Sequence, residues 1–192
     1  MNKLELLKDY IRDKGSMAIA YSSGVDSTFL LKVAHNVLGD NCVAITAISP
    51  SFPKKEREEA TAFCKEQGIR QILVDPNELA LEDYAKNPKN RCYYCKHRLF
   101  SQVIAEAKGL GITAVAEGSN VDDLGDYRPG LKAIEELGVL SPLREVGYTK
   151  AEIRKDSEAL GLPTASKPSF ACLASRIPYG ERITAEKLAR VE

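Results

Sequence analysis

Met17-Ala-Ile-Ala-Tyr-Ser-Ser-Gly-Val-Asp-Ser-Thr28 is the stretch on which the fold turns. Its opening residues form a short apolar run that reads as a buried strand. The residues after it are small or turn-forming, and they open onto an apolar segment with helical spacing. A strand that feeds a small-residue loop into a helix start can cradle an anion. Ser22, Ser23 and Gly24 bring backbone N–H groups close, Ser27 and Thr28 supply hydroxyls, and the helix adds the positive end of its dipole. Such a corner can hold the phosphates of a nucleotide. An ordinary strand–turn–helix corner with an Asp-Ser cap fits the same residue types. The Walker pattern Gly-x-x-x-x-Gly-Lys-Ser/Thr is absent, which disfavours a kinase or GTPase P-loop.

Outward from this corner, strands and helices alternate. Helical periodicity over 3–14 places Leu4, Leu7 and Ile11 on one side, and a strand at 16–21 follows. An apolar helix is expected from Ser27 to Leu38, a second strand at Cys42–Ile48 stopped by Ser49–Pro53, and a charged helix at Lys54–Gln67 ending in Gly68. Further elements are a strand at Arg70–Asp75, a helix at Cys92–Lys108 and a strand at 113–117. The fold class is therefore α/β, with a parallel sheet covered by helices on both faces. Ligands of such sheets bind beyond the carboxyl ends of the strands. The phosphate loop, Ser49–Pro53 and Glu117–Asp126 should converge there. After Pro129 the pattern turns helical. Thr149-Lys-Ala-Glu152 has the form of a capping box, and 184–192 reads as the start of a C-terminal helix.

The 192 residues suffice for one well-buried domain. Lys plus Arg and Asp plus Glu number 27 each, so bulk charge gives no reason to expect a nucleic-acid partner. No apolar run approaches the length of a membrane span, and Met1-Asn-Lys-Leu-Glu5 lacks a signal-peptide core; a cytoplasmic protein with no membrane partner is expected. There are five cysteines and two histidines. In a reducing compartment, Cys92-x-x-Cys95 suggests metal or redox work before structural disulfides.

Three further segments can carry chemistry. Glu117-Gly-Ser-Asn-Val-Asp-Asp-Leu-Gly-Asp-Tyr-Arg-Pro-Gly130 offers carboxylates that can hold Mg²⁺ beside a triphosphate, and Arg128 can pair with a phosphate or carboxylate. A solvated acidic loop with Asx turns is the plain alternative. Asn90-Arg-Cys-Tyr-Tyr-Cys-Lys96 can chelate zinc, bridge as a redox disulfide or bind an iron–sulfur cluster, or it can be two unrelated thiols on one helix face. Lys167-Pro-Ser-Phe-Ala-Cys-Leu-Ala-Ser-Arg-Ile-Pro-Tyr-Gly-Glu-Arg182 surrounds Cys172 with Arg176 and Arg182, cationic neighbours that lower a thiol pKa. A buried structural cysteine is the alternative there. Cys42 and Cys64 read as small core or surface residues.

Ser-Ser-Gly-Val-Asp-Ser (22–27) closely resembles the Ser-Gly-Gly-x-Asp-Ser loop of the ATP-pyrophosphatase (PP-loop) enzymes, with Ser23 standing where that superfamily usually has its first glycine. Together with Asn-Arg-Cys-Tyr-Tyr-Cys (90–95), the 117–130 segment and Pro-Ser-Phe-Ala-Cys-Leu-Ala-Ser-Arg-Ile (168–177), it makes the chain resemble the LarE-type ATP-dependent sulfur transferases. The resemblance implies an adenine nucleotide alpha hydrolase-like PP-loop domain over 1–165, then a cysteine-bearing loop and part of a helical C-terminal region over 166–192. It implies that ATP adenylates a carboxylate of a small-molecule nucleotide, a pyridinium dicarboxylate mononucleotide. Sulfur then replaces AMP, on the way to the nickel-pincer cofactor of lactate racemase. Ser22, Ser23, Gly24, Asp26 and Ser27 are implied to hold ATP, with Asp26 placing Mg²⁺. Glu117 and Asp126 are implied near metal or nucleotide, and Arg128, Ser175 and Arg176 near substrate phosphate or carboxylate. Cys92, Cys95 and Cys172 match the ligands of a [4Fe–4S] cluster in three-cysteine members, so the cluster version is expected; the alternative is that of one-cysteine members, which give up the sulfur of the residue matching Cys172. A homo-oligomer is also expected. Relatives in the PP-loop superfamily, such as tRNA thiolases and amidotransferase synthetase subunits, are the alternative.

Overall fold

The computed structural model describes residues 2–125 and 128–192. In chain order the elements are α1 (Lys3–Lys14), β1 (Met17–Ala20), α2 (Val25–Leu38), β2 (Cys42–Ala47), α3 (Lys54–Gln67), β3 (Arg70–Val74), α4 (Glu82–Ala85), α5 (Arg91–Gly109), β4 (Val115–Ala116), α6 (Pro129–Glu136), α7 (Pro142–Glu145), α8 (Lys150–Ala159) and α9 (Ala185–Val191). The four strands are all parallel, in the order β3-β2-β1-β4. The order reverses between β1 and β4, the crevice where open parallel sheets take their ligands.

Alternation along the strands builds the two layers. Met17 and Ile19 of β1, with Cys42 and Ala44 of β2, face a core made with Leu7, Phe29, Phe63, Tyr148 and Ile153 from α1, α2, α3 and the α8 region. Ala18, Val43 and Ile45 face the other way, against Phe100, Val103 and Ala107 of α5 and Ile134 of α6. The period-2 pattern of a strand buried on both sides gives this result directly. β4 is shorter than the sequence suggests. On its edge away from β1 it is bridged by the segment before α7, with Leu140 N–H donating to Val115 O at 2.8 Å and Glu117 N–H donating to Leu140 O at 2.9 Å.

The C-terminal region does not extend either layer. Leu173, Ala174, Ile177, Ile183 and Leu188 form a third core with Tyr84, and Leu81, Tyr94 and Cys95 pack against it. Asn87 organises this contact. It is fully buried with φ +57°, and its amide donates to Ile177 O at 3.2 Å and Pro178 O at 2.8 Å. Asparagine tolerates this left-handed conformation better than most residues. The second half of the 166–192 segment is thereby wrapped onto the start of α5. No helix among the described residues is long and apolar enough to cross a membrane.

Candidate active site

The phosphate loop runs from Tyr21 to Gly24, and α2 starts at Val25, two residues earlier than the spacing suggests. Asp26, Ser27 and Thr28 therefore lie in the first helical turn. Ser22 Oγ and Ser27 Oγ stand 3.2 Å apart, and Ser22 N–H donates to Ser27 Oγ at 3.3 Å. The two hydroxyls hold the loop closed over the helix start. Ser23 has φ +56° and is almost fully buried. Its hydroxyl points inward and donates to the Glu56 carboxylate at 2.9 Å, so only its backbone faces the loop. The serine thus takes the conformation for which glycine is favoured, and the Glu56 hydrogen bond holds it there.

β4 ends against this loop. A Cβ on Gly118 would lie 2.9 Å from Ser27 N and 3.2 Å from two atoms of Asp26, so only glycine lets the backbones meet so closely. Beside it, the buried Glu117 carboxylate accepts from Ser119 Oγ at 2.7 Å and Ser141 Oγ at 2.5 Å. These bonds fix it at the switch-point edge. Asp126, a sequence candidate, lies outside the described residues. Arg128 pairs with Asp123 at 2.7 Å, and Asp123 in turn accepts from Asn120 N–H at 2.9 Å.

Sequence reasoning missed the cation of this site. Lys150, the first residue of α8, bonds the Asp26 carboxylate. The Thr149–Glu152 capping box is formed, and it fixes where α8 begins. Burial raises the Asp26 pKa above the ordinary carboxylate range, and the Lys150 hydrogen bond and charge oppose that rise. Asp26 Oδ1 is buried and has no hydrogen-bond partner. A carboxylate with one oxygen on an ammonium and the other buried without a partner is suited to a hard divalent cation.

Cys95 packs against the third core, and Cys92 one turn earlier on α5 and Cys172 next to Leu173 flank it. Cys92 and Cys95 lie near the N-terminus of α5, and the exposed Cys172 sits just before the short 3₁₀ turn Leu173–Arg176. Burial pushes the Cys95 thiol well above its ordinary value, with Glu78, Cys172 and Cys92 adding to it. Although the residue is exposed, the Cys172 thiol is raised by desolvation against the neighbouring chain and by Cys92, and lowered by the Ser175 N–H and Arg91. The three thiols are thus within electrostatic reach of one another. Among the described residues, no three His, Cys, Asp or Glu side chains are grouped to hold a metal ion. Cys42 and Cys64 are buried core thiols, both pushed up to about 12 by burial. Ser175 Oγ donates to Cys172 O at 2.7 Å, while Arg176 bonds Val191 O and lies over the Phe170 ring. Arg91, also missed in the sequence, is buried between Asn87 and the Tyr179 ring, with its Nε unpartnered.

The sheet edge joins the two halves. Leu173 N–H donates to Ser51 O at 2.9 Å in the loop after β2, and Lys167 Nζ donates to Ser23 O at 3.1 Å in the phosphate loop. The cysteine segment and the nucleotide corner therefore share one rim.

Comparison with known proteins agrees with this arrangement. No family model matches the chain. It is 50% identical over 190 residues to an uncharacterized protein of Synechocystis sp., covering 99% of this chain and 71% of that one. It is 34% identical over 182 residues to the pyridinium-3,5-bisthiocarboxylic acid mononucleotide synthase of Lactiplantibacillus plantarum, covering 94% of this chain. The chain belongs to the LarE-type family of PP-loop sulfur transferases. It spans 66% of the synthase's length. The NH3-dependent NAD synthetase of Campylobacter jejuni shares the fold, with a TM-score of 0.68 at 16% identity over 92% of this chain and 81% of that one. The parallel PP-loop sheet followed by a helical C-terminal region is thus the fold of this LarE-type chain.

Proposed function

We propose that the protein is an ATP-dependent sulfur transferase that converts a carboxylate of a pyridinium dicarboxylate mononucleotide into a thiocarboxylate, as a step towards the nickel-pincer nucleotide cofactor. The observation that carries this reading is the shared rim, where a loop built for phosphates and a segment bearing Cys172 are hydrogen-bonded to the same sheet edge. Ser22, Ser23, Gly24 and Ser27 receive the phosphates through backbone N–H groups and hydroxyls, aided by the α2 dipole. Asp26, with its buried and unpartnered Oδ1, would hold Mg²⁺, which would supply charge neutralisation for the phosphates, and Lys150 would add a second positive charge beside it. Glu117 would serve the same metal or nucleotide, the role the resemblance also gives Asp126. Arg128, Arg176 and Ser175, with Arg91 beside Cys172, are the groups for substrate phosphate and carboxylate.

In the first step a substrate carboxylate oxygen bonds to the α-phosphorus of ATP, and the bond to the bridging oxygen breaks, releasing pyrophosphate. In the second step sulfur attacks the acyl carbon, and AMP leaves with the electron pair of the acyl C–O bond. A free carboxylate would have to expel oxide or hydroxide, whereas AMP is a stable leaving group.

Two sources of sulfur fit the chain. Cys92, Cys95 and Cys172 would offer an all-thiol donor set with no histidine, and Cys95 packs against an apolar core. Cubane ligands each bind a different iron, so they need not group around one point as the ligands of a single ion do. These three residues would hold a [4Fe–4S] cluster once the exposed Cys172 segment closes on α5, and such a cluster would supply an exchangeable sulfide. The exposure of Cys172 favours the second source. In that version its Sγ makes the acyl–sulfur bond, and elimination breaks Cβ–Sγ with loss of the α-hydrogen to leave dehydroalanine.

Pyrophosphate release that depends on the dicarboxylate mononucleotide tests the reaction; no release overturns it. Mass spectrometry of anaerobically reconstituted protein before and after turnover separates the sulfur sources. Bound iron and sulfide with an intact Cys172 supports the cluster. Loss of one H₂S at Cys172, with unchanged transfer in Cys92→Ser and Cys95→Ser, supports the sacrificial route.

A further inference from the structure

Lys167 is engaged on several sides at once. Its ammonium donates to Glu56 Oε2 and to Glu59 Oε2, each at 2.6 Å, and to Ser23 O at 3.1 Å, and its side chain is 16% exposed. The two carboxylates raise its pKa against the lowering effect of burial, so it stays charged. Glu56 accepts from Ser23 Oγ as well, and one carboxylate thereby holds both the loop residue and the lysine.

The position of this lysine in the chain gives the contact its meaning. Five residues further on is Cys172, and the next residue, Leu173, is pinned to Ser51 O. Between these two anchors Pro168, Ser169, Phe170, Ala171 and Cys172 are all exposed. The sulfur-bearing residue therefore rides on a strap held at one end by the phosphate loop and at the other by the loop after β2. The first anchor is made to a carbonyl whose peptide also carries the Gly24 N–H. In a trans peptide the C=O and N–H point to opposite sides. With the carbonyl on Lys167, the Gly24 N–H is directed away from it. A phosphate that engages this N–H pulls on the peptide that Lys167 grips from behind.

We propose that Lys167 is a positioning residue that couples nucleotide binding in the phosphate loop to the placement of Cys172. It touches no reacting atom; it sets where the strap lies when the loop is filled. This rests on the sulfur-transfer reading above, and it concerns only the step after adenylation.

The test compares Lys167→Met and Lys167→Arg with the unaltered protein. In Lys167→Met, pyrophosphate release keeps its kcat, while thiocarboxylate formed per pyrophosphate falls about 10–100-fold, the penalty of a misplaced reacting group. Lys167→Arg recovers most of that ratio, since a guanidinium can bridge the same two carboxylates. Glu59→Gln, a milder change at a half-exposed partner, gives an intermediate ratio and covers the case in which Lys167→Met does not fold. A second readout needs no turnover. Alkylation of Cys172, mapped by peptide mass spectrometry, changes rate on adding Mg²⁺ and a non-hydrolysable ATP analogue in the unaltered protein and does not change in Lys167→Met. An unaltered product-to-pyrophosphate ratio, a parallel fall of both half-reactions, or nucleotide-independent alkylation in the unaltered protein each overturns the proposal. Absence of pyrophosphate release from the unaltered protein would instead count against the reaction, and the alkylation readout would still decide the coupling.

Discussion

Gly118→Ala is the sharpest perturbation of the nucleotide corner. The added Cβ would sit 2.9 Å from the backbone nitrogen of Ser27 and 3.2 Å from Asp26 C and Cβ, where ordinary contact begins at 3.4 Å. Two of these three neighbours are backbone atoms, so no side-chain rotation relieves the clash. The end of β4 and the first turn of α2 must part by roughly half an ångström, an overpacking change that costs about 1–3 kcal/mol. For a chain of this size, that lowers the melting midpoint by about 2–12 °C. In the proposed reading these atoms receive the phosphates, so affinity for a non-hydrolysable ATP analogue falls by about tenfold or more, on the scale of a misplaced binding group. Thermal melting and isothermal titration read the two effects. Gly109→Ala is the control, because a Cβ at that helical position meets nothing within 4 Å and alanine favours a helix. A Gly118→Ala protein that melts within about 1 °C of its parent and binds the analogue equally well would refute the close approach of β4 to the phosphate loop.

Lys150→Met removes the group that opposes the burial-driven rise of the Asp26 pKa. In the proposed reading Asp26 holds Mg²⁺ as the carboxylate, so the acid limb of the pH profile for pyrophosphate release moves to higher pH, and an unmoved limb would detach Asp26 from the metal. Because both side chains are less than a third exposed, the same change costs about 1–3 kcal/mol of stability in urea unfolding. Leu173→Ala, in the almost fully buried centre of the third core, costs about 2–5 kcal/mol. It also speeds alkylation of Cys172, which mass mapping would detect. Glu152 has its carboxyl held down to about 2, first by Lys3 and then by Thr149. A carboxyl depressed in the folded state stabilises fully above its ordinary value of 4.5, and that contribution is lost as pH falls toward the folded value. Glu152→Gln therefore flattens the loss of stability over this window, seen in unfolding midpoints measured through it.

The sheet was legible because its signal is local. β1 and β2 are continuous apolar runs bounded by turn residues, and the phosphate loop announces itself by small residues following such a run. The groups that complete the site were not legible, for a physical reason. Lys150 finds Asp26 across 124 positions, and Lys167 finds Ser23 across 144. Lys150 sits inside a capping box and Lys167 heads the cysteine segment, but nothing in either local stretch names the distant carboxylate it meets. Each ammonium is recruited only because folding buries a carboxylate that must then be neutralised. Ser23 shows the same limit from the other side. The sequence marks it as a glycine replacement that can approach a phosphate, yet its hydroxyl is drawn inward by Glu56, which lies one helix away in the chain. What a small residue offers a ligand is therefore set by which buried acid its side chain satisfies. In this chain that acid also grips Lys167, so the departure from glycine at position 23 and the anchoring of the cysteine strap are parts of one hydrogen-bonded unit.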